Sequence, residues 1–262
     1  MNSIKTALIG YTGFVGSNLI KQYGFTNLYN SKNFQDIKNQ EYDLVVCAGV
    51  SAVKWLANKE PKKDLENISA LESILETINT KKFILISTID VYPLTQYLDE
   101  DFNCSSMDNH AYGVHRLDFE KFCTKKFDDC TIVRLPGLFG DGLKKNVIYD
   151  LLNDNCLEMI NTKSSFQYYY LKYLWKDIQT AMDNGIKQIN LFTEPVQTQD
   201  IFSTFFPEKK IGQEATPEGH YDLRTKHAGN WNNSEKYIYT KNEMMQQLSE
   251  FIESYKKQKD NS

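Results

Sequence analysis

The chain lacks any uninterrupted apolar run near the roughly 18 residues that a membrane-spanning helix requires, so neither a span nor a membrane partner is expected. Its opening residues, MNSIKTALIG, carry one lysine and pass at once into a strand pattern, which is not the build of a secretory signal. No C-x-x-C pair occurs among the five cysteines, Cys47, Cys104, Cys123, Cys130 and Cys156. An odd, dispersed set argues against a disulfide framework and points to reduced thiols in a cytoplasmic protein. The four histidines do not stand beside those cysteines at ligand spacing, so no metal is expected. There is no basic stripe either: 30 Lys and Arg are scattered among 34 Asp and Glu, for a net charge of −4, which disfavours nucleic acid as a partner. Internal repeats and disordered linkers are also missing. What remains is 262 residues, 41% hydrophobic and 13% aromatic, ample for one large α/β unit or a core with a smaller lobe.

The organising stretch is Ile4 to Ile20, IKTALIGYTGFVGSNLI. An apolar run, Ala7-Leu8-Ile9, meets Gly10, and Gly13 and Gly16 follow at three-residue spacing before a helical pattern begins. Strand, glycine turn and helix start in that order are what a dinucleotide-binding turn requires. Gly10 would permit the tight turn, Gly13 the approach of backbone to pyrophosphate, and Gly16 close packing of helix on strand. Thr12, Phe14 and Val15 lie within the same turn. An ordinary glycine-rich βα turn is the alternative.

Thr26 to Asn30 reads as a second strand ending in Asn30-Ser31-Lys32, where an NAD enzyme often has a carboxylate for the ribose hydroxyls. A hydroxyl and an ammonium there would accept a 2′-phosphate, which favours NADP over NAD, although Ser-Lys in a turn is also ordinary surface chemistry. Tyr42 to Gly49 is a buried-type strand. Pro61 opens a helix expected to run to about Asn79, with Leu65, Ile68, Leu71, Ile74, Leu75 and Ile78 at helical spacing. Lys81 to Ile86 is a fourth strand ending at Ser87-Thr88, Ala111 to Lys126 a long helix, and Thr131 to Leu135 a fifth strand closed by Pro136-Gly137. This alternation predicts an α/β fold: a Rossmann-like, doubly wound parallel sheet. Beyond it, helices are expected at 147–152, 173–182, 200–206 and 243–255, an aromatic strand or loop at 166–170, a polar loop at 221–233 and a frayed tail from Lys256. A strand near 188–193 is expected to return to the main sheet. Residues 1–140 would thus form the NAD(P)-binding domain and 141–262 mainly a smaller substrate-binding lobe.

Functional groups of such sheets gather beyond the carboxyl ends of the strands. Tyr112 and Arg116 sit one helical turn apart, and a cation there would lower the phenol's pKa toward acid/base use, with Thr88 able to hydrogen-bond a substrate oxygen. Tyr and Arg four apart on a helix are common, so the pair alone decides nothing.

Taken together and in order, these motifs resemble the extended short-chain dehydrogenase/reductases, the branch of nucleotide-sugar epimerases, dehydratases and 4-keto reductases. Gly10-x-x-Gly13-x-x-Gly16 matches its glycine spacing, Asp36-Ile37 the pair flanking adenine, and Ala48-Gly49 a cofactor contact after the strand. Glu60-Pro61 followed by Asn67 is similar to a stretch whose asparagine supports the active site. Ser87-Thr88-Ile89-Asp90-Val91-Tyr92 places Thr88 in the catalytic Ser/Thr position, and Tyr112-Gly113-Val114-His115-Arg116 with Glu120 is similar to Y-G-x-x-K-x-x-x-E. Arg134 to Gly140 is similar to the segment whose proline, here Pro136, lies by the nicotinamide. The short chain, the brief Ser31–Gln40 segment and Ala52-Val53-Lys54 look most like the dTDP-4-dehydrorhamnose reductase type.

The resemblance implies hydride transfer from NADPH, or from NADH, to C4 of a 4-keto-6-deoxy nucleotide-sugar for a surface polysaccharide, with Tyr112 as proton donor and Thr88 orienting the carbonyl. Epimerisation or dehydration with tightly held NAD, and a catalytically impaired dinucleotide-binding regulator, are the alternatives. The family lysine, which binds the nicotinamide ribose and lowers the tyrosine pKa, is Arg116 here, a bulkier planar cation. Lys144, Lys145 and Asn146, and Arg224 and Lys226 in the late polar loop, are candidates for the substrate diphosphate, and Gln167 and Tyr168 for the sugar. A homodimer would be common for the family.

Overall fold

The structure, a computed structural model, describes residues 4–212, 214–231 and 235–260. Met1–Ser3, Asn232 and Asn233 of the expected polar loop, and Asn261 and Ser262 of the expected tail, lie outside the described residues. In chain order the elements are β1 (Thr6–Ile9), α1 (Phe14–Leu19), β2 (Asn27–Tyr29), β3 (Glu41–Cys47), α2 (Lys54–Lys59), α3 (Pro61–Leu75), β4 (Asn79–Thr88), α4 (Ala111–Lys126) and β5 (Cys130–Leu135). There follow β6 (Gly137–Phe139), α5 (Val147–Asn153), β7 (Ser165–Phe166), β8 (Tyr168–Tyr170), α6 (Leu174–Asp183), β9 (Gln188–Asn190), β10 (Val196–Gln197), α7 (Thr198–Phe205) and α8 (Lys241–Asp260). By contacts the chain divides into two units: one holds residues up to Pro93, Asp101–Leu135 and Leu174–Asn190, the other Leu94–Glu100, Pro136–Tyr173 and Leu191 onward.

The first unit is a six-stranded sheet in the order β2-β1-β3-β4-β5-β9, parallel at every pairing. Alternate strand residues explain the layering. Ala7, Ile9, Val45, Cys47, Phe83 and Leu85 point to one face and join Ile68, Leu71, Leu75 of α3 and Phe119, Cys123 of α4 in a core. Their neighbours Leu8, Val46 and Ile84 are buried as well, so both faces are covered, as a parallel sheet requires. The fold is doubly wound, as the alternating pattern implied.

Three sequence expectations need correction. The helix from Pro61 ends at Leu75, not near Asn79: Thr77 Oγ1 closes its last turn on the Ile74 carbonyl at 2.7 Å, and Asn79 already pairs with Glu41 at the start of β4. Leu65, assigned to the apolar stripe, is exposed, because the buried face runs Asp64, Ile68, Leu71, Leu75. The tail from Lys256 to Asp260 is helical, as the last part of α8.

A buried polar network holds the middle of this unit. Arg134 on β5 donates from Nη2 and Nε to Glu120 of α4 at 2.7 and 3.0 Å, and from Nη1 to the Tyr92 hydroxyl at 2.9 Å. Ser87 Oγ donates to the same Glu120 carboxylate at 2.5 Å, and Asn190 of β9 donates to Tyr92 at 2.7 Å. Strands β4, β5 and β9 are thereby tied to α4 through ions that are satisfied inside the protein.

In the second unit β6 pairs parallel with β8, and β7 pairs antiparallel with β10. The segment 166–170, expected as an aromatic strand or loop, is two short strands interrupted at Gln167, whose buried amide donates to the carbonyls of Thr193 and Leu223 and accepts from the Leu223 N–H. Among the described residues no helix is long and apolar enough to cross a membrane. The central network yields a prediction. Glu120→Gln removes the charge that compensates Arg134 and is expected to lower urea-unfolding stability by about 3–5 kcal/mol. Loss of under about 1 kcal/mol would show that the network is slack.

Candidate active site

Parallel strands aim their carboxyl ends at one edge of the sheet, and the chain segments leaving β1, β3 and β4 carry most of the expected site residues. Gly10 has φ of +86°, and a Cβ there would overlap the Ala48 carbonyl. A Cβ on Gly16 would overlap the carbonyl of Gly10. The turn therefore requires glycine at both positions. Gly13 caps α1 and donates its N–H to the Gly10 carbonyl at 3.0 Å, and no side chain caps that helix start. Thr12 and Gly13 are exposed, while Phe14 and Val15 are half-buried.

Leaving β2, Asn30 donates from Nδ2 to the Tyr11 hydroxyl at 3.1 Å and accepts the Lys32 N–H at 2.9 Å, which ties this loop to the glycine turn. Ser31, Lys32 and Asp36 are exposed. Ile37 is fully buried in the core, so its side chain presents nothing to a ligand. Beyond β3, Ala48 is half-buried and Gly49 exposed, with the Ala48 N–H held by the Ile9 carbonyl at 2.9 Å. Asn67 lies exposed on α3, and the Ser87 hydroxyl is engaged by Glu120.

Thr88 ends β4 and caps the turn that follows by accepting the Asp90 N–H at 3.2 Å. Its hydroxyl also lies 3.4 Å from Asp90 Oδ2, and it is near enough to Tyr112 to favour the phenolate. Tyr112, buried on the first turn of α4, donates its N–H to Asn58 Oδ1 at 2.9 Å. His110 caps that helix, its Nδ1 accepting the Gly113 N–H at 3.0 Å. A Cβ on Gly113 would overlap the carbonyl of Asp90, so this glycine sets how closely α4 approaches the end of β4. The two hydroxyls expected to act together are thus brought together.

Arg116 is placed differently from what the sequence suggested. It is 4% exposed, and its guanidinium is gripped by Asp64 of α3, Nη1 to Oδ2 at 2.5 Å and Nη2 to Oδ1 at 2.8 Å. Nη2 also donates to the Ser51 carbonyl at 2.7 Å and Nη1 to the Tyr112 carbonyl at 3.2 Å. The cation lies against the Tyr112 ring, 3.8 Å from its centroid. His115 Nδ1 donates to Asp64 Oδ2 at 2.7 Å. Burial opposes ionisation of Asp64, but the hydrogen bonds from Arg116 and His115 outweigh it and hold the carboxyl below its usual range. For Tyr112 the balance goes the other way. Burial pushes the phenol above its ordinary value, and the opposing pull of Arg116 does not overcome it. The expected depression of the Tyr112 pKa is therefore not found, and nothing is left on Nη1 or Nη2 for a ribose.

Several residues of the site were not singled out in the sequence. Asp64 had a legible signal, a carboxylate in phase with the Ile68-Leu71-Leu75 face, where burial demands a cationic partner. Asp90 and Lys54 stood in the quoted motifs without a role, and His110 had no signal: Lys54 Nζ meets Asp90 Oδ1 at 2.5 Å, and His110 Nε2 stands 3.9 Å from the same oxygen. Only the fold brings these loops together.

No family model matches the chain, and no curated protein sequence matches it. Solved structures do. UDP-glucose 4-epimerase of Thermotoga maritima, solved with UDP-glucose, is similar at TM-score 0.74 and 14% identity over 97% of this chain and 99% of that one. The dTDP-4-dehydrorhamnose reductase of Yersinia enterocolitica is similar at TM-score 0.70 and 14% identity, over 97% and 100%. That of Bacillus anthracis, in complex with NADP, is similar at TM-score 0.66 and 14% identity, over 84% and 89%. The chain shares the Rossmann-like fold of these structures.

Within that fold, Pro136 directly follows β5 and is buried. The substrate candidates all lie in the second unit. Lys144 and Lys145 are exposed, whereas Asn146 is occupied as the cap of α5, accepting the Tyr149 N–H at 3.1 Å and donating to the Leu138 carbonyl at 2.8 Å. Arg224 pairs with Asp222 at 3.3 Å and stands 4.8 Å from the Tyr97 ring, and Lys226 is exposed with its N–H on Glu100. Gln167 has its amide fully engaged and Tyr168 is buried, so neither presents a free polar group to a sugar.

The Asp64–Arg116 grip makes a prediction about stability. Asp64→Asn leaves a buried guanidinium uncompensated and is expected to reduce stability at pH 7 by about 3–5 kcal/mol, whereas Asp64→Leu combined with Arg116→Met recovers much of the loss. The Asp64 carboxyl is depressed in the folded state, so its contribution is present above its unfolded pKa of about 3.9 and fades as pH falls below that. Urea unfolding from pH 3 to pH 7 checks both, and equal loss in the single and double variants would contradict the pairing.

Proposed function

We propose that this chain is an NADPH-dependent reductase of a keto nucleotide-sugar, acting on C4 of a 4-keto-6-deoxy sugar in a route to a surface polysaccharide. The observation that carries the reading is the meeting of the Thr88 and Tyr112 hydroxyls beyond the end of β4, in a sheet whose first strand ends in the Gly10–Gly16 turn. The turn fits a dinucleotide: side chains are excluded at Gly10 and Gly16, and Thr12 and Gly13 are open to solvent. When bound, a reduced nicotinamide supplies the hydride. Tyr112 gives its phenolic proton to the oxygen of the carbonyl being reduced, and Thr88 holds that oxygen by a hydrogen bond.

Tyr112, whose phenol burial holds above its ordinary pKa, is protonated at neutral pH and can donate. Ser31 and Lys32, exposed after β2 with no carboxylate at either position, support NADP over NAD. Lys144, Lys145, Arg224 and Lys226 supply cations for a diphosphate, and the unpaired state of all five cysteines is in keeping with the cytoplasm. A second reading, an epimerase with tightly held NAD, draws on the similarity to the Thermotoga maritima enzyme.

The test is turnover of a panel of keto nucleotide-sugars with NADPH and NADH, followed at the nicotinamide absorbance. NADPH oxidation is expected, and Tyr112→Phe is expected to lower kcat by roughly 10²–10⁴-fold. Redox-neutral conversion by protein that co-purifies with NAD would replace the reductase by the epimerase. Undiminished activity in Tyr112→Phe would falsify both.

A further inference from the structure

Arg116, although bonded to Asp64 and Ser51, still favours the Tyr112 phenolate, and Asp90 opposes it. The groups facing Tyr112 belong to four elements. Arg116 lies against the ring from α4 itself, and Asp64 of α3, with His115, neutralises it. From the turn after β4 comes Asp90, from the first residue of α2 comes Lys54, and from the cap of α4 comes His110. Asp90 is central to this arrangement. One carboxylate oxygen lies 3.4 Å from Thr88 Oγ1 and the other 2.5 Å from Lys54 Nζ.

Thr88 has a single hydroxyl proton, which can go to Asp90 or toward Tyr112 and substrate, but not to both. An uncompensated carboxylate here would draw that proton away and would oppose any negative charge on the Tyr112 oxygen. His110 does not compensate it. Its Nδ1 is occupied as an acceptor, its Nε2 is 3.9 Å away, and burial, followed by the Lys54 charge, disfavours its protonation. Lys54 is the close cation on Asp90 among the described residues, and its side chain keeps 41% of its surface open to solvent.

We infer that Lys54, held on Asp90, is a positioning residue for the Thr88–Tyr112 pair. The inference rests on the reading of Thr88 and Tyr112 as the reacting hydroxyls. Lys54 acts through Asp90: it offsets the carboxylate, frees the Thr88 proton for the Tyr112 side, and keeps the Tyr112 oxygen from being further disfavoured as an anion. A half-exposed ion pair of this kind contributes little to stability, so its removal leaves the fold in place.

The test follows the titration of Tyr112 by NMR in protein carrying ¹³C at tyrosine Cζ, with the resonance assigned by its absence in Tyr112→Phe. The expected results are a lower Tyr112 titration in Asp90→Asn, a higher one in Lys54→Met, no effect of Lys54→Met once Asp90→Asn is present, and near wild-type behaviour in Lys54→Arg. Melting temperatures are expected to stay within about 3 °C of wild type. If Lys54→Met shifts the titration equally in both backgrounds, or in neither, the inference is overturned. In NADPH-driven turnover, Lys54→Met is expected to lower kcat about tenfold with little change in KM. Absence of turnover in the wild type would overturn the reductase reading, while the NMR titration would still decide the role of Lys54.

Discussion

A guanidinium removed from water must be compensated on the spot, and the Asp64–Arg116 bond is where this protein meets that demand. The bond joins α3 to α4, and the same guanidinium reaches the Ser51 carbonyl in the segment after β3. It also supports the Tyr112 ring from below. The position of Tyr112 therefore depends on this ion pair. Arginine suits the task because its planar fork can satisfy a carboxylate with two nitrogens and still reach a carbonyl. A lysine offers one nitrogen and could not make the same set of bonds. Arg116 thus fixes the helix that carries Tyr112, and its charge still bears on the phenol.

Much of the fold was legible because its signals are local. The Ala7-Leu8-Ile9 run into Gly10, the helix from Ala111 to Lys126 and the small residues after β3 each announce themselves within a few positions. The candidate hydroxyls Thr88 and Tyr112 were legible for the same reason, as short ordered motifs. What was hidden depends on partners distant in sequence. Arg116 alone reads as a cation free to act, and only its partner 52 residues away shows that it is not. Asn146 and Gln167 look like polar groups awaiting a ligand, yet their amides cap a helix and bridge two carbonyls. The helix end at Leu75 was missed because Ile78 continues the helical spacing while belonging to the core as the chain turns into β4.

Two buried ion pairs act at different depths in the first unit. Glu120–Arg134 sits among the strands and ties sheet to helix, while Asp64–Arg116 joins helix to helix. Both place an arginine where a merely hydrophobic side chain could fill space, and both orient a polar residue at the end of β4 or the start of α4. The third pair, Lys54–Asp90, differs in being partly open to solvent, and its carboxylate lies 3.4 Å from the Thr88 hydroxyl. Rigid scaffolding thus surrounds a locally adjustable charge.

The central claim, that the Gly10–Gly16 turn receives a dinucleotide, is tested most directly by calorimetric titration of NADPH into the wild type and into Gly13→Asp. Gly13 is exposed and a Cβ there would meet only the Gly10 carbonyl, at 3.3 Å, so the variant is expected to fold while placing a negative charge where the phosphates would lie. The account predicts binding by the wild type and at least about tenfold weaker binding by Gly13→Asp, the loss expected from like-charge repulsion. Equal affinity in the two proteins, or none in the wild type, would contradict it.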